Sequence, residues 1–260
     1  MNNQSVPLES RRLKDAEFTL YGWNTCMRFF EHRPQDLCRL FFSKKRASKL
    51  GSVKKWCAVH KLPYRELDTE SLNKVASATH HEGVVMIVRP LETSLIQPFI
   101  KRGLGKQGIA VALDRIGNPH NLGAILRNCA FFGAEGLVIS NQESQARLTS
   151  SAARTAEGAM EMLPIFQCTD LASTLRDFMS HNVYVVGTDL NVNQSLYDIE
   201  LRFPCILVLG NEQEGLSSSV KKCCCQIVRI PGVEKIQSLN VAVAAGVVLA
   251  EFTRYRDSKV

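Results

Sequence analysis

The stretch RIGNPHNLGAILRNCA, residues 115–130, decides how this chain is read. Leu122, Ala124, Ile125, Leu126, Cys129 and Ala130 carry the apolar spacing of a buried helix, and Phe131 and Phe132 follow. One guanidinium, Arg127, interrupts that pattern, with only Gly123, Ala124, Ala130 and Phe131 one turn away. A charge on an apolar helix face is costly unless an anion or a strong acceptor meets it. Arg127 therefore either pairs inside the fold or works on a substrate.

On either side of this helix lie short apolar runs, IAVALDRI (109–116) before it and GLVIS (136–140) after it. Four more follow: LPIFQ (163–167), VYVVGTD (183–189), CILVLG (205–210) and QIVRIP (226–231). Continuous Val, Ile and Leu runs closed by Gly, Pro, Asn or Asp predict buried parallel strands. Helices are expected at 121–133, 149–159, 170–181 and 239–256, so the pattern predicts an α/β unit with helices on both faces of a parallel sheet.

The earlier part of the chain alternates on a smaller scale. Helices are expected near Trp23–His32, Ser48–His60 and Glu70–Ser77, and extended pieces at 37–42, 62–67 and 83–88. The expected organisation is a flexible tail (1–16), a small α/β domain (17–90), a linker (91–108) and a larger domain (109–260).

Charge divides the same way. The chain carries a net charge of +7, yet residues 1–104 hold 18 Lys+Arg against 10 Asp+Glu, and residues 105–260 hold 14 against 15. Lys44, Lys45, Arg46, Lys49, Lys54 and Lys55 crowd one segment, with Arg28, Arg33 and Arg39 just before it. Such a concentration suits a phosphate backbone, although a solvated helix surface is the ordinary outcome of a charge run.

Other classes are disfavoured. No apolar run reaches the roughly 18 residues of a membrane-spanning helix. No GxxxxGK[ST], strand-to-helix GxGxxG or GxSxG occurs, and GLGKQG (103–108) precedes its strand. The nine cysteines form no clip: Cys223, Cys224 and Cys225 are consecutive and read as half-buried strand residues, so no metal is expected. The cysteine pattern and an N-terminus without a secretory apolar core lead to the expectation of a cytoplasmic protein.

Three polar loops, GNPHN after 109–116, GNEQEG after 205–210 and PGVEKIQSLN after 226–231, share one edge of the predicted sheet. In open α/β sheets, ligands bind at the carboxyl ends of the strands.

NPHNLGAILRNCAFFGAEGLVIS (118–140), LVLGNEQEGL (207–216) and IPGVEKIQSLNVAVAAGV (230–247) resemble, in order, the three motifs of the SpoU/TrmH family of the SPOUT superfamily. These are RNA ribose 2′-O-methyltransferases. Residues 18–90 resemble more loosely the small L30e-like substrate-binding domain that precedes the catalytic domain in several members. The resemblance implies a sheet ending in a C-terminal trefoil knot, S-adenosylmethionine as cofactor, tRNA or rRNA as substrate, and a homodimer.

By the same resemblance Arg127 meets the ribose 2′-hydroxyl, Asn121 positions Arg127 or the RNA, and Glu212 orients Arg127 or touches substrate. Ser238 and Asn240 match the SLN of the third motif, Gly210, Ile230 and Leu239 line the cofactor site, and Thr188 flanks the adenine. Each has an ordinary structural role as well: a salt bridge between Arg127 and Glu212, N-caps for Asn121, Ser238 and Asn240, helix-dipole partners for Glu212 and Glu214. The third motif departs from the family where Glu234 replaces a glycine, which bears on cofactor affinity. The rival to an enzyme is an RNA-binding protein on a methyltransferase fold with weak or lost catalysis. A nucleotide-dependent enzyme is a third reading, disfavoured by the missing phosphate loops.

Overall fold

A computed structural model describes residues 16–233 and 238–258. The chain divides into two units, one ending at Glu92 and the other beginning at Thr93.

In the first unit, strands β1 (Phe18–Tyr21), β2 (Leu37–Phe42), β3 (Tyr64–Glu66) and β4 (Val84–Val88) form a sheet of order β1-β4-β2-β3. β4 runs antiparallel to both β1 and β2, while β3 is parallel to β2. Every residue of β4, VVMIV, is buried, as its unbroken apolar run requires of a central strand. Helices α1 (Trp23–His32), α2 (Gly51–Val59) and α3 (Thr69–Ala76) complete the unit. The lysine-rich Lys44–Leu50 is a 3-10 stretch leading into α2, so the α-helix starts later than the expected 48. Asp68 caps α3 by accepting from the Ser71 N–H at 2.7 Å.

The second unit holds a seven-stranded sheet. Its strands are β5 (Ser94–Leu95), β6 (Ile109–Asp114), β7 (Leu137–Ser140), β8 (Ile165–Cys168), β9 (Tyr184–Thr188), β10 (Cys205–Gly210) and β11 (Gln226–Val228). They lie in the order β11-β9-β10-β6-β7-β8-β5, and every pair is parallel. All residues of β6 and β10 are buried, and the two run in register from Cys205↔Ile109 to Gly210↔Asp114. The helices are α4 (Ile96–Arg102), α5 (Pro119–Phe131), α6 (Ser150–Ala156), α7 (Ala159–Met162), α8 (Leu171–Ser180), α9 (Ser218–Lys221) and α10 (Val241–Asp257).

Two expectations need correction. The segment 91–108, read as a connection, carries β5 and α4, whose Ile96, Phe99 and Ile100 belong to the core. Phe99 stacks on Phe166 with centroids 4.1 Å apart. Its helical spacing was masked by Pro98, which is tolerated because it sits in the first turn, where the N–H has no partner to lose. Cys223, Cys224 and Cys225 are not strand residues; they lie between α9 and β11 and run from buried to exposed.

Candidate functional site

A cleft of about 530 Å³ opens beyond the carboxyl ends of β9, β10 and β11. Thr188, Gly210, Ile230 and Leu239, the four residues expected to hold a cofactor, all line it, together with Glu212 and Ser238. Asn121, Arg127 and Asn240 stand outside that lining.

Gly210 is required by a close approach: a Cβ there would lie 2.4 Å from the carbonyl carbon of Gly215 and 2.5 Å from the Leu216 nitrogen. The loop after β10 therefore folds directly back over the strand end, held by Asn211 and Gly215, whose N–H groups each donate to the other's carbonyl. Arg115, in the left-handed region at φ 62, ties this loop to the one after β6. Its guanidinium meets Glu214, lies 3.3 Å from Asp114 Oδ1 and donates to the Gly215 carbonyl at 3.1 Å. Glu214 is thus an ion-pair partner of Arg115 rather than a helix-dipole partner. In return, Asn211 Nδ2 donates to the Arg115 carbonyl at 2.9 Å.

Three of the expected residues form one hydrogen-bonded chain. Asn240 caps α10, its Oδ1 accepting from the Ala242 N–H at 2.9 Å and the Val243 N–H at 3.4 Å. Its Nδ2 donates to Asn121 Oδ1 at 3.0 Å, and Asn121 Nδ2 donates to Glu212 Oε1 at 2.7 Å. This relay joins the α5 helix, the β10 loop and the start of α10, so all three motifs meet. Asn121 itself is not a cap. Asn118 takes that role, accepting from the His120 N–H at 2.8 Å, with Pro119 opening the helix.

Arg127 is not sealed in the core. Its side chain is 58% exposed, and its Nη2 lies 3.3 Å from Glu157 Oε2. The expected salt bridge to Glu212 is not among the described ion pairs. Glu157 closes α6 in a left-handed conformation, φ 48, where glycine is the ordinary choice, and its Oε1 lies 3.7 Å from Arg154 Nη1. Gly123 makes the pairing reachable: a Cβ there would stand 2.4 Å from the Ala152 carbonyl oxygen, so α5 and α6 touch backbone to backbone.

Two residues escaped the reading of the sequence. Glu157 lay in an expected helix and had no pattern to mark it. Asp189, at the end of the run VYVVGTD, is 9% exposed and lines the cleft. Burial pushes its carboxyl pKa up, but the Lys221 ammonium and the Asn191 N–H outweigh that and hold it below the usual carboxylate value. The Glu234 question falls outside the described residues.

The cleft fits S-adenosylmethionine on the chemistry of its walls. Leu190 (51% exposed), Val233 (73%) and Leu239 (49%) gather around it as exposed apolar side chains, an arrangement that marks a ligand surface. Asp189, Asn191, Asn211, Glu212 and Gln213, on the loops after β9 and β10, give it a polar rim. Among the described residues no group of three or more His, Cys, Asp or Glu side chains is placed to hold a metal ion, and no helix is long and apolar enough to cross a membrane.

Known proteins resemble this chain in sequence and fold. The profile of the SpoU rRNA methylase family matches residues 108–250, and that of the RNA 2′-O ribose methyltransferase substrate-binding domain matches residues 19–94. An uncharacterized tRNA/rRNA methyltransferase of Escherichia coli O157:H7 is 31% identical over 94% of this chain and 70% of its own length. Mycobacterial proteins of the same description are longer, and the match spans 63% of the one from Mycobacterium ulcerans. A 23S rRNA (guanosine-2′-O-)-methyltransferase of Haemophilus influenzae is 33% identical over 91% of this chain and 97% of its own. Among solved structures, the AdoMet-bound rRNA methyltransferase of Sinorhizobium meliloti superposes with a TM-score of 0.78 at 22% identity, covering 95% of this chain and 90% of that one.

Proposed function

The chain belongs to the SpoU rRNA methylase family, and from that membership we propose that it methylates a ribose 2′-hydroxyl of RNA with S-adenosylmethionine. The observation that carries this reading is the relay Asn240–Asn121–Glu212, which joins one residue of each motif and reaches the cleft through Glu212.

The cofactor is held by Thr188, Gly210, Ile230 and Leu239, with Ser238 at the rim. When bound, S-adenosylmethionine supplies an electrophilic methyl carbon on a sulfonium. The chain's own task is to align the ribose hydroxyl and to manage the charge that develops as its proton leaves. A guanidinium stays protonated at neutral pH and is a poor base. The role of Arg127 is to stabilise the developing oxyanion, with an RNA phosphate as a second anion within its reach. Asn121 and Glu212 hold the start of the Arg127 helix against the β10 loop.

The rest of the polypeptide serves this site. The matched substrate-binding domain, with its excess of positive charge, captures tRNA or rRNA in the cytoplasm. A trefoil knot forms where the chain leaves β11: Arg229 pairs with Gln194 and Leu196 of the β9–β10 connection before the chain returns to α10 beside α5. A homodimer forms over the surface carrying Phe131 and Val243, both exposed on these packed helices. The reading as an RNA binder without turnover is not favoured, because Asn121, Glu212 and Asn240, one from each motif, stand together and the relatives include a 23S rRNA (guanosine-2′-O-)-methyltransferase.

Calorimetric titration of the full chain with S-adenosylmethionine tests the assignment. Saturable binding is expected, lost in Leu239→Asp, which places a charge on the apolar wall. Absence of binding by the native chain would contradict the cofactor assignment.

A further inference from the structure

The first unit carries a second groove, of about 740 Å³, which no part of the methyl-transfer site explains. Both tryptophans of the chain, Trp23 and Trp56, line it, with Phe30, Met27, Asn24 and Ser52. We propose that this groove takes an unpaired nucleobase of the RNA substrate, stacked on its aromatic rings, while the lysines of 44–55 hold the adjoining phosphates. The proposal deepens the RNA-methylation reading and rests on it for the identity of the ligand as RNA.

The rings are set in place beforehand. The Arg46 guanidinium lies over Trp23, 4.5 Å from the ring centroid, and its Nε donates to the Glu82 carbonyl at 2.8 Å. The Glu82 carboxylate also accepts from the Trp23 backbone N–H at 2.8 Å, so the first residue of α1 and the cation over its ring are tied to the same residue. Trp56 stacks on His60 with centroids 3.9 Å apart, and Phe30 meets Trp56 edge-on at 6.1 Å. Aromatic side chains buttressed in this way lose little freedom when a base arrives, which is what a stacking platform needs. Asn24 and Ser52 add polar residues to the lining.

Charge selects the occupant. The arginines of this unit are mostly engaged: Arg28 with Glu31, Arg33 with Asp36, Arg39 with Glu17, Arg89 with Asp36. Among the described ion pairs none uses Lys44, Lys45, Lys49, Lys54 or Lys55. Lys44, Lys45, Lys49 and Lys55 are exposed, and Lys55 adjoins Trp56 on α2. Within the groove itself the charged side chains, Arg28 and Glu31, pair with each other. The lysines of the segment that supplies Ser52 and Trp56 to the groove enter none of the described ion pairs, which suits a polyanion whose units each carry a flat ring. An apolar peptide would use the rings but leave the cations unanswered. Duplex RNA would answer the cations but keep its bases stacked inside.

Since both tryptophans line the groove, intrinsic fluorescence reports on it directly. The full chain is titrated with a short single-stranded oligoriboadenylate, with an abasic oligomer of the same length, and with an RNA duplex. The single strand is expected to quench the emission and to bind roughly tenfold more tightly than the abasic oligomer. Ser52→Glu, an exposed change that leaves the rings intact, is expected to weaken that binding by a similar factor; Trp56→Phe is expected to keep most of it and to leave Trp23 as reporter. Equal binding of the single strand and the abasic oligomer, or of the duplex, or an unchanged affinity in Ser52→Glu, would overturn the base pocket. None of these readouts involves methyl transfer, so the pocket and the enzymatic reading fail separately.

Discussion

Arg127 Nη2 stands 3.3 Å from Glu157 Oε2, an ion pair that bridges the middle of α5 to the last turn of α6. The Arg127 guanidinium is therefore held by a carboxylate from a neighbouring helix end and not, among the described ion pairs, by Glu212. At 58% exposure on the arginine and 29% on the glutamate, the pair is open enough for an RNA anion to compete for the guanidinium. Pairs this exposed contribute only about 0–1 kcal/mol to folding, so the contact matters for aim more than for stability.

Removing the guanidinium separates these two roles. Arg127→Ala is expected to lower kcat by roughly two to three orders of magnitude, as the loss of a donor to a developing oxyanion does. Its unfolding free energy should stay within about 0.5 kcal/mol of the native value, because no core contact is lost. Methyl-transfer assays beside chemical denaturation check both halves.

Glu157→Gly gives the opposite signature to ordinary damage. The left-handed backbone at φ 48 strains a glutamate by about 1 kcal/mol and a glycine not at all. Stability is therefore expected to hold or rise while kcat falls several-fold, as Arg127 loses its anchor. Loss of both together would mean that Glu157 acts only through the fold.

Asn240 distinguishes capping from the relay. Asn240→Asp keeps an acceptor for the Ala242 and Val243 N–H groups but removes the donor to Asn121. Thermal unfolding should be near native in Asp and lower by about 1 kcal/mol in Ala, while both variants lose activity.

Much of this could be read from the residues alone, because a buried parallel strand announces itself by an unbroken apolar run. IAVALD and CILVLG are such runs, and because the two strands pair in parallel the loops at their ends share one sheet edge. What could not be read depended on contacts far apart in sequence. Asn121 looks like a helix start until Asn118 is seen accepting from His120, and Arg127 finds its partner thirty residues on, from a helix end with no motif of its own. Helix α4 hid for a local reason: Pro98 in its first turn and Gly103 just past its end punctuate it like a loop.

Asp189 gives a pH dependence with a definite sign. Its carboxyl is held below its ordinary value of 3.8 because, against the opposing effect of burial, Lys221 and the Asn191 N–H favour the charged form. A lowered native value adds stability above the unfolded-state pKa, and that stability is lost as pH falls through the native one. Asp189→Asn should therefore be less stable near neutral pH and show a shallower decline below about pH 4, measured by urea unfolding across the acid range.

The most direct test is methyl transfer itself. Labelled S-adenosylmethionine and total RNA from cells lacking this protein are incubated with the full chain, and the RNA is then hydrolysed in alkali. Alkaline cleavage requires a free 2′-hydroxyl, so ribose methylation leaves the label in an uncleaved dinucleotide. The account predicts label in that fraction with the native chain and none with Arg127→Ala. Label recovered in mononucleotides, as base methylation would leave it, or equal transfer by Arg127→Ala, would contradict it.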